Sequence, residues 1–154
     1  MEKGAENPEP CRERRTGSLR LSGVWNAYDK EKGEYHTMKK IESGSLAVML
    51  DEETLGLRIE KDGVVWNTDP KKTPELIFAE GTYRFLDAEE ISHEVYSFGV
   101  GCGIRSRYAG FAGTPYAFET IIWIEAVDET FWMEWIPLCE EGLHPVKVLW
   151  PTAM

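Results

Sequence analysis

The residues best suited to hold a ligand fall in one stretch, Gly103-Ile-Arg-Ser-Arg-Tyr-Ala-Gly-Phe111, followed by Gly113-Thr-Pro-Tyr116. Arg105 and Arg107 stand at i and i+2, so on a strand both guanidinium groups project from one face and can donate forked hydrogen bonds to hydroxyls or a carboxylate. Tyr108, Phe111 and Tyr116 supply rings able to stack against the apolar face of a sugar. Trp132 and Glu134, on the later run 131–136, complete a candidate ligand set of Arg105, Arg107, Tyr108, Trp132 and Glu134. The competing role for the two arginines is pairing with acids on a neighbouring strand, which so acidic a chain favours.

Residues able to carry a reaction are harder to assemble. His36, His93 and His144 are the only histidines, and none has a metal-ligand spacing such as H-E-x-x-H. His93-Glu94, and Glu140-Glu141 with His144, would supply the acid and base that a sugar epimerase or mutarotase needs. With 27 Asp and Glu in the chain, such neighbours also arise by chance. The same abundance prevents selection of the two carboxylates that glycoside hydrolysis requires at a fixed separation. The acidic stretches at 51–53 and 87–90 read as solvated loops. Gly99-Val-Gly-Cys-Gly103 is not a dinucleotide fingerprint, because the third spacing fails and Ile104-Arg-Ser-Arg continues as a strand. Alternating glycines there point to a bulge or a close approach between strands. Cys11, Cys102 and Cys139 are widely spaced, which fits reduced thiols better than a disulfide framework or a zinc site. No catalytic residue, metal site or cofactor is assigned.

The elements that must position the ligand candidates are strands. From Tyr35 onward, short apolar runs alternate with turn residues at intervals of about 8–12, the rhythm of antiparallel sheets. Residues 44–50, 55–60 and 64–67 form a three-strand meander. Leu55, Leu57 and Ile59 alternate with wet positions, and Asp62-Gly63 supplies the positive φ of a tight hairpin. Further runs occupy 76–79, 82–86, 91–98, 104–108, 117–125, 130–136 and 146–150. The run 117–125 directs Ile121 and Trp123 one way and Ile122 and Ile124 the other, so it belongs in the middle of a sandwich. Only single helical turns are expected, at 87–91 and 138–142. The predicted fold is all-β: an antiparallel, supersandwich-like β-sandwich over 23–154, preceded by a disordered tail over 1–22.

Composition bounds the partners. The chain has 154 residues, room for one domain, and its 42% hydrophobic content supports a core. A net charge of −10 repels phosphate backbones and anionic lipid, which excludes nucleic acid and membrane surfaces as natural partners. No apolar run has the form of a signal peptide or a membrane span, so a cytoplasmic location is expected. Six Trp, six Tyr and six Phe are more than a small domain usually carries. Most are expected in the core, with a few left as a platform for a flat ligand.

Five segments together carry a family resemblance: Ser45 to Ile59, Gly63-Val-Val-Trp66, Gly103 to Phe111, Phe118 to Glu125, and Glu134-Trp-Ile-Pro-Leu138 with a closing Trp150-Pro151. They resemble the N-terminal, galactose-mutarotase-like sandwich of bacterial glycoside-hydrolase-like proteins, including family 31 α-glycosidases and related barrel hydrolases. The resemblance covers about residues 35–151. It implies an accessory domain that packs against a catalytic barrel and helps to shape a sugar site, with the catalytic carboxylates on the barrel. It therefore assigns no catalytic residue to this chain. Its implied partners are a carbohydrate and a barrel domain. The alternatives are a stand-alone sugar mutarotase or epimerase, and a structural interaction module.

Overall fold

A computed structural model describes residues 19–29, 34–69, 71–138 and 145–151, with side chains from residue 37 onward except that of Phe98. Three antiparallel sheets account for nearly all of it. The first has five strands in the order β1-β2-β3-β4-β5: β1 (Leu19–Asp29), β2 (Glu34–Ser43), β3 (Leu46–Asp51), β4 (Leu57–Lys61) and β5 (Val64–Asn67). The second has four in the order β11-β10-β9-β8: β8 (Glu90–Phe98), β9 (Gly101–Ala109), β10 (Ala117–Glu125) and β11 (Thr130–Pro137). A third, small sheet orders β12 (Lys147–Leu149), β6 (Glu75–Ile77) and β7 (Thr82–Arg84).

The expected meander is β3-β4-β5, and its hairpin at Asp62-Gly63 has both residues at positive φ, 51° and 80°. Preceding it, the Asp51 carboxylate accepts hydrogen bonds from the backbone N–H groups of Glu53 and Thr54 at 2.8 and 3.0 Å, an Asx turn that starts the return to β4. The run 117–125 is β10, a central strand of its sheet as its two apolar faces require. Among the described residues helix is confined to one 3-10 turn, Phe85–Asp87, two residues earlier than the acidic turn expected at 87–91. The other expected turn, at 138–142, lies outside the described residues beyond Leu138.

Two strands depart from the expected layout. Leu19–Ser22, which the composition places in a tail, pair with 40–43 as the start of β1. The mixed sequence Leu-Arg-Leu-Ser-Gly-Val-Trp offers only a broken alternation, because a register irregularity between Ser22 and Val24 shifts the phase mid-strand. Residues 1–18 lie outside the described part. β2 is likewise obscured by charge: its Lys39, Lys40 and Glu42 hide the inward row that Ile41 and Ser43 carry.

β2 crosses β8, β9 and β10, so the five-stranded sheet lies on the four-stranded one and their facing rows make the core. From the first sheet come Ile41, Leu46, Val48, Leu50, Leu57 and Ile59. From the second come Cys102, Ile104, Tyr108, Phe118, Ile122 and Ile124. One end of this core is aromatic. Phe118 stacks on Tyr108 at a centroid distance of 4.8 Å, lies 4.7 Å from Phe85 and 5.8 Å from both Phe111 and Trp135. Phe85 also meets Trp150, while Phe78 stacks on Tyr116 at 4.2 Å, which ties the small sheet to the end of the sandwich. Much of the aromatic surplus is spent here. The Phe118 ring is 1% exposed. Phe118→Ala should therefore cost about 3–5 kcal/mol, read as a lowered midpoint in urea unfolding, with the small sheet losing amide protection first.

Candidate functional site

Alternation decides which candidates share a surface. On β9, Cys102, Ile104, Ser106 and Tyr108 point inward, so Arg105 and Arg107 point outward. On β11, Phe131, Met133 and Trp135 point inward, so Trp132 and Glu134 point outward. The outer face of the four-stranded sheet thus gathers Arg105, Arg107, Trp132 and Glu134.

Tyr108 does not join them. It is 0% exposed, wedged between Phe85 and Phe118, and cannot touch a ligand. The reason is its odd spacing: one residue after Arg107, it takes the opposite face. Burial pushes its hydroxyl pKa up to about 12, with the Ser106 and Thr120 hydroxyls near it but short of hydrogen-bond geometry. Phe111 is equally buried, and Tyr116, 5% exposed, spends its hydroxyl on Glu80. The sugar-stacking rings expected from this stretch are core residues.

Strand register sets the outer face out in rows. One row reads Trp132, Trp123, Gly103, Tyr96 across β11, β10, β9 and β8. The next reads Glu134, Ile121, Arg105, Glu94, and the third Ile136, Glu119, Arg107, Ser92. An aromatic row therefore borders two rows of charged and apolar groups. Trp123 is the keel of the first: a Cβ at Gly101 would fall 2.2 Å from its indole, and one at Gly103 would fall 2.9 Å from both Trp123 and Tyr96. The alternating glycines that mimic a nucleotide loop exist so that this indole can lie flat on the β9 backbone. Trp132 tilts against Trp123 at 6.3 Å and stays 41% exposed. Nothing in the sequence stretch 91–98 singled out Tyr96; only register puts it in this row.

The two arginines behave differently. Arg105 lies 5.6 Å over the Tyr96 ring and 3.7 Å from the Glu119 carboxylate, so cross-strand pairing accounts for part of its charge. The Tyr96 phenol is raised mainly by burial, which Arg105 partly offsets. Arg107 has no ion pair among the described residues and lines a shallow depression of about 330 Å³ with Glu89, Glu90, Ile91 and Ser92. Glu134 likewise has none among them. The face thus offers an exposed ring, forked donors and exposed carboxylate acceptors, the set that a polyhydroxyl ligand uses.

Of the two acid–base pairings, only His93 with Glu94 falls on described residues, and it does not assemble. His93 and Glu94 are consecutive on β8, so the imidazole turns inward to Ser106, with Nδ1 2.7 Å from its Oγ, while Glu94 faces out. His144 with Glu140 and Glu141 lies outside the described residues, as do Cys11 and Cys139, and of His36 only the backbone is described. Cys102 is fully buried, burial raises its thiol pKa, and its Sγ approaches the Glu42 carbonyl at 3.8 Å, the setting of an inert thiol. Among the described residues no group of three His, Cys, Asp or Glu side chains could hold a metal ion, and no helix is long and apolar enough to cross a membrane.

No protein-family model and no curated protein sequence matches the chain. Solved structures do. The α-N-acetylgalactosaminidase NagBb from Bifidobacterium bifidum, in its GalNAc complex, superposes with a TM-score of 0.69 and 36% identity over 75% of this chain. Its Gal-NHAc-DNJ complex gives 0.69 and 38%, and its ligand-free form 0.67 and 36%. The chain is similar to part of a glycoside hydrolase. That part is small: the chain covers 18–19% of the enzyme's length. The similarity agrees with the relation to glycosidases that the sequence segments imply.

Two outcomes test this geometry. Gly103→Ala, which forces Trp123 and Tyr96 to move, should lose about 1–3 kcal/mol and shift the tryptophan emission. The second concerns His93, whose pKa burial lowers from the ordinary 6.5; Glu52 opposes this and Lys39 adds to it. Because the folded pKa lies below the unfolded one, this contribution is complete above about pH 6.5 and is lost as the pH falls through the folded pKa. NMR titration should place the His93 midpoint below 6.5, and His93→Gln should flatten the loss of stability on acidification.

Proposed function

We propose that the chain is a non-catalytic, galactose-mutarotase-like accessory sandwich of a glycoside hydrolase, one that acts on α-linked N-acetylgalactosamine and is built like the family 31 α-glycosidases. The observation that carries this reading is the 36–38% identity to an α-N-acetylgalactosaminidase over three quarters of the chain, confined to under a fifth of that enzyme. A sandwich of that size accompanies a larger catalytic part, and a barrel is the partner that the resemblance implies.

Within this role the outer face of the β8–β11 sheet is the carbohydrate-binding surface. Trp132 offers its ring to the C–H face of a pyranose. Arg105 and Arg107 donate to hydroxyl or acetamido oxygens, and Glu134 accepts from hydroxyls. Register places these groups on neighbouring rows about 7 Å apart, two residues along each strand. A short saccharide laid along β9 and β11 would touch the aromatic row and the charged rows together.

Two measurements test the two arms. Incubated with an aryl α-N-acetylgalactosaminide, the chain alone should release no more phenol than buffer does, and enzymatic turnover would overturn the non-catalytic assignment. On an array containing GalNAc-terminated glycans the chain should bind, and calorimetry with the best ligand should show affinity reduced about tenfold, some 1.4 kcal/mol, in Trp132→Ala and in Arg105→Ala. Absence of binding to every glycan would remove the carbohydrate arm and leave the accessory assignment standing.

A further inference from the structure

We propose that the sandwich accepts one additional β-strand, supplied by another polypeptide, along the free edge of β11. This goes beyond the carbohydrate reading and does not depend on it. Among the described residues β11 pairs only with β10. The hydrogen bond from the Leu138 N–H to the Ala117 carbonyl, 2.9 Å, sets the phase of that ladder. By antiparallel alternation the even-numbered residues of β11 turn their N–H and C=O groups toward β10. Phe131, Met133 and Trp135 turn theirs outward, where no described residue meets them. Natural sheets usually blunt such an edge with charge, proline or a bulge. β11 has a single charge, Glu134, and its proline comes only at its last residue.

The facing sheet marks the vacancy. It has five strands over four, and β5 is the strand left over. Trp66 stands opposite Ile59, and Val64 opposite Lys61, on the core-facing side of that sheet. Yet Trp66 is 43% and Val64 51% exposed, because no described residue lies across from them. Between β5 and β11 runs a groove of about 330 Å³ lined by Leu46, Ile59, Lys61, Trp66, Glu129 and Phe131. A strand hydrogen-bonded to β11 would lie about 4.8 Å beyond it, above β5, with alternate side chains entering this groove. One added strand completes a five-on-five sandwich. A second copy of the chain does not fit the same place, since pairing β11 with its symmetry mate would drive each copy's overhanging β5 into the sheet beneath the other's β11.

The occupant's chemistry follows from its two faces. Inward positions meet Ile59, Trp66 and Phe131 and call for apolar side chains. The outward positions stand beside Trp132, Glu134 and Ile136, where the Glu134 carboxylate has no ion pair among the described residues and the Trp132 ring is exposed. A Lys or Arg there gains a cross-strand ion pair and a cation–π contact. The chain's net charge of −10 favours the same sign. The occupant is thus an extended segment alternating apolar with basic residues, bound by β-strand addition.

Fluorescence anisotropy with two labelled heptapeptides tests this, one alternating Val with Lys and one alternating Val with Glu. The Lys peptide should bind the full chain, and the Glu peptide about tenfold more weakly or worse. Met133→Pro removes a donor aimed at the free edge and spares the ladder to β10, so it should cost the Lys peptide about tenfold. Glu134→Gln, a surface change that leaves the fold intact, should bring the two peptides close to equal affinity. Trp66→Ala should weaken both. The proposal is overturned if neither peptide binds, if the wild-type chain binds both equally, or if Met133→Pro changes nothing. It is also overturned if sedimentation shows the chain alone dimerising through this edge, for then a second copy is the occupant.

Discussion

The burial of Phe118 among Tyr108, Phe85, Phe111 and Trp135 is the constraint on which the other features hang. It holds one end of the sandwich closed and attaches the small sheet, and it also fixes the phase of β9 and β10. Phe118 stands opposite Tyr108 in the ladder, and both rings must be inside. A slip of one residue in either strand would expose them and turn the arginines into the core, at a cost far above the few kcal/mol by which domains are stable. The outer face is therefore specified from within. Arg105 and Arg107 are outside because Ile104, Ser106 and Tyr108 are inside.

The same alternation ties the glycines of β9 to the platform. Gly101 and Gly103 give up side chains on the outer face so that Trp123 can cover the backbone, and Trp132 and Tyr96 then flank it. The face is closely packed at its centre and exposed at its rim. That division suits recognition of a flat, hydroxylated ligand, for which rings must be held in place while donors and acceptors remain wet. The His93 imidazole does not reach this face, because it is turned inward, bonded to Ser106.

The two edges of the sandwich are unequal. Among the described residues, a five-stranded sheet on a four-stranded one leaves Trp66 and Val64 without a counterpart and β11 with an unpaired edge. In a domain that resembles under a fifth of a much longer enzyme, unfinished surface of this kind is what a neighbouring segment would complete.

The sequence by itself determined the class of fold, the meander at 44–67, the central strand at 117–125 and the pairing of Arg105 with Arg107 on one face, because each depends on a local period of two or on turn chemistry within a few residues. It also carried the similarity to part of a glycosidase. It misplaced Tyr108, whose apolar neighbourhood is built from Phe85 and Phe118, and it missed β1, where a break in register at Ser22–Val24 interrupts the local pattern. The row joining Trp132, Trp123, Gly103 and Tyr96, the turn of His93 away from Glu94, and the vacancy beside β11 were decided only by tertiary structure. Each is a relation between strands far apart in the chain, set by register and by the number of strands in each sheet, and neither quantity is written in any local run of residues.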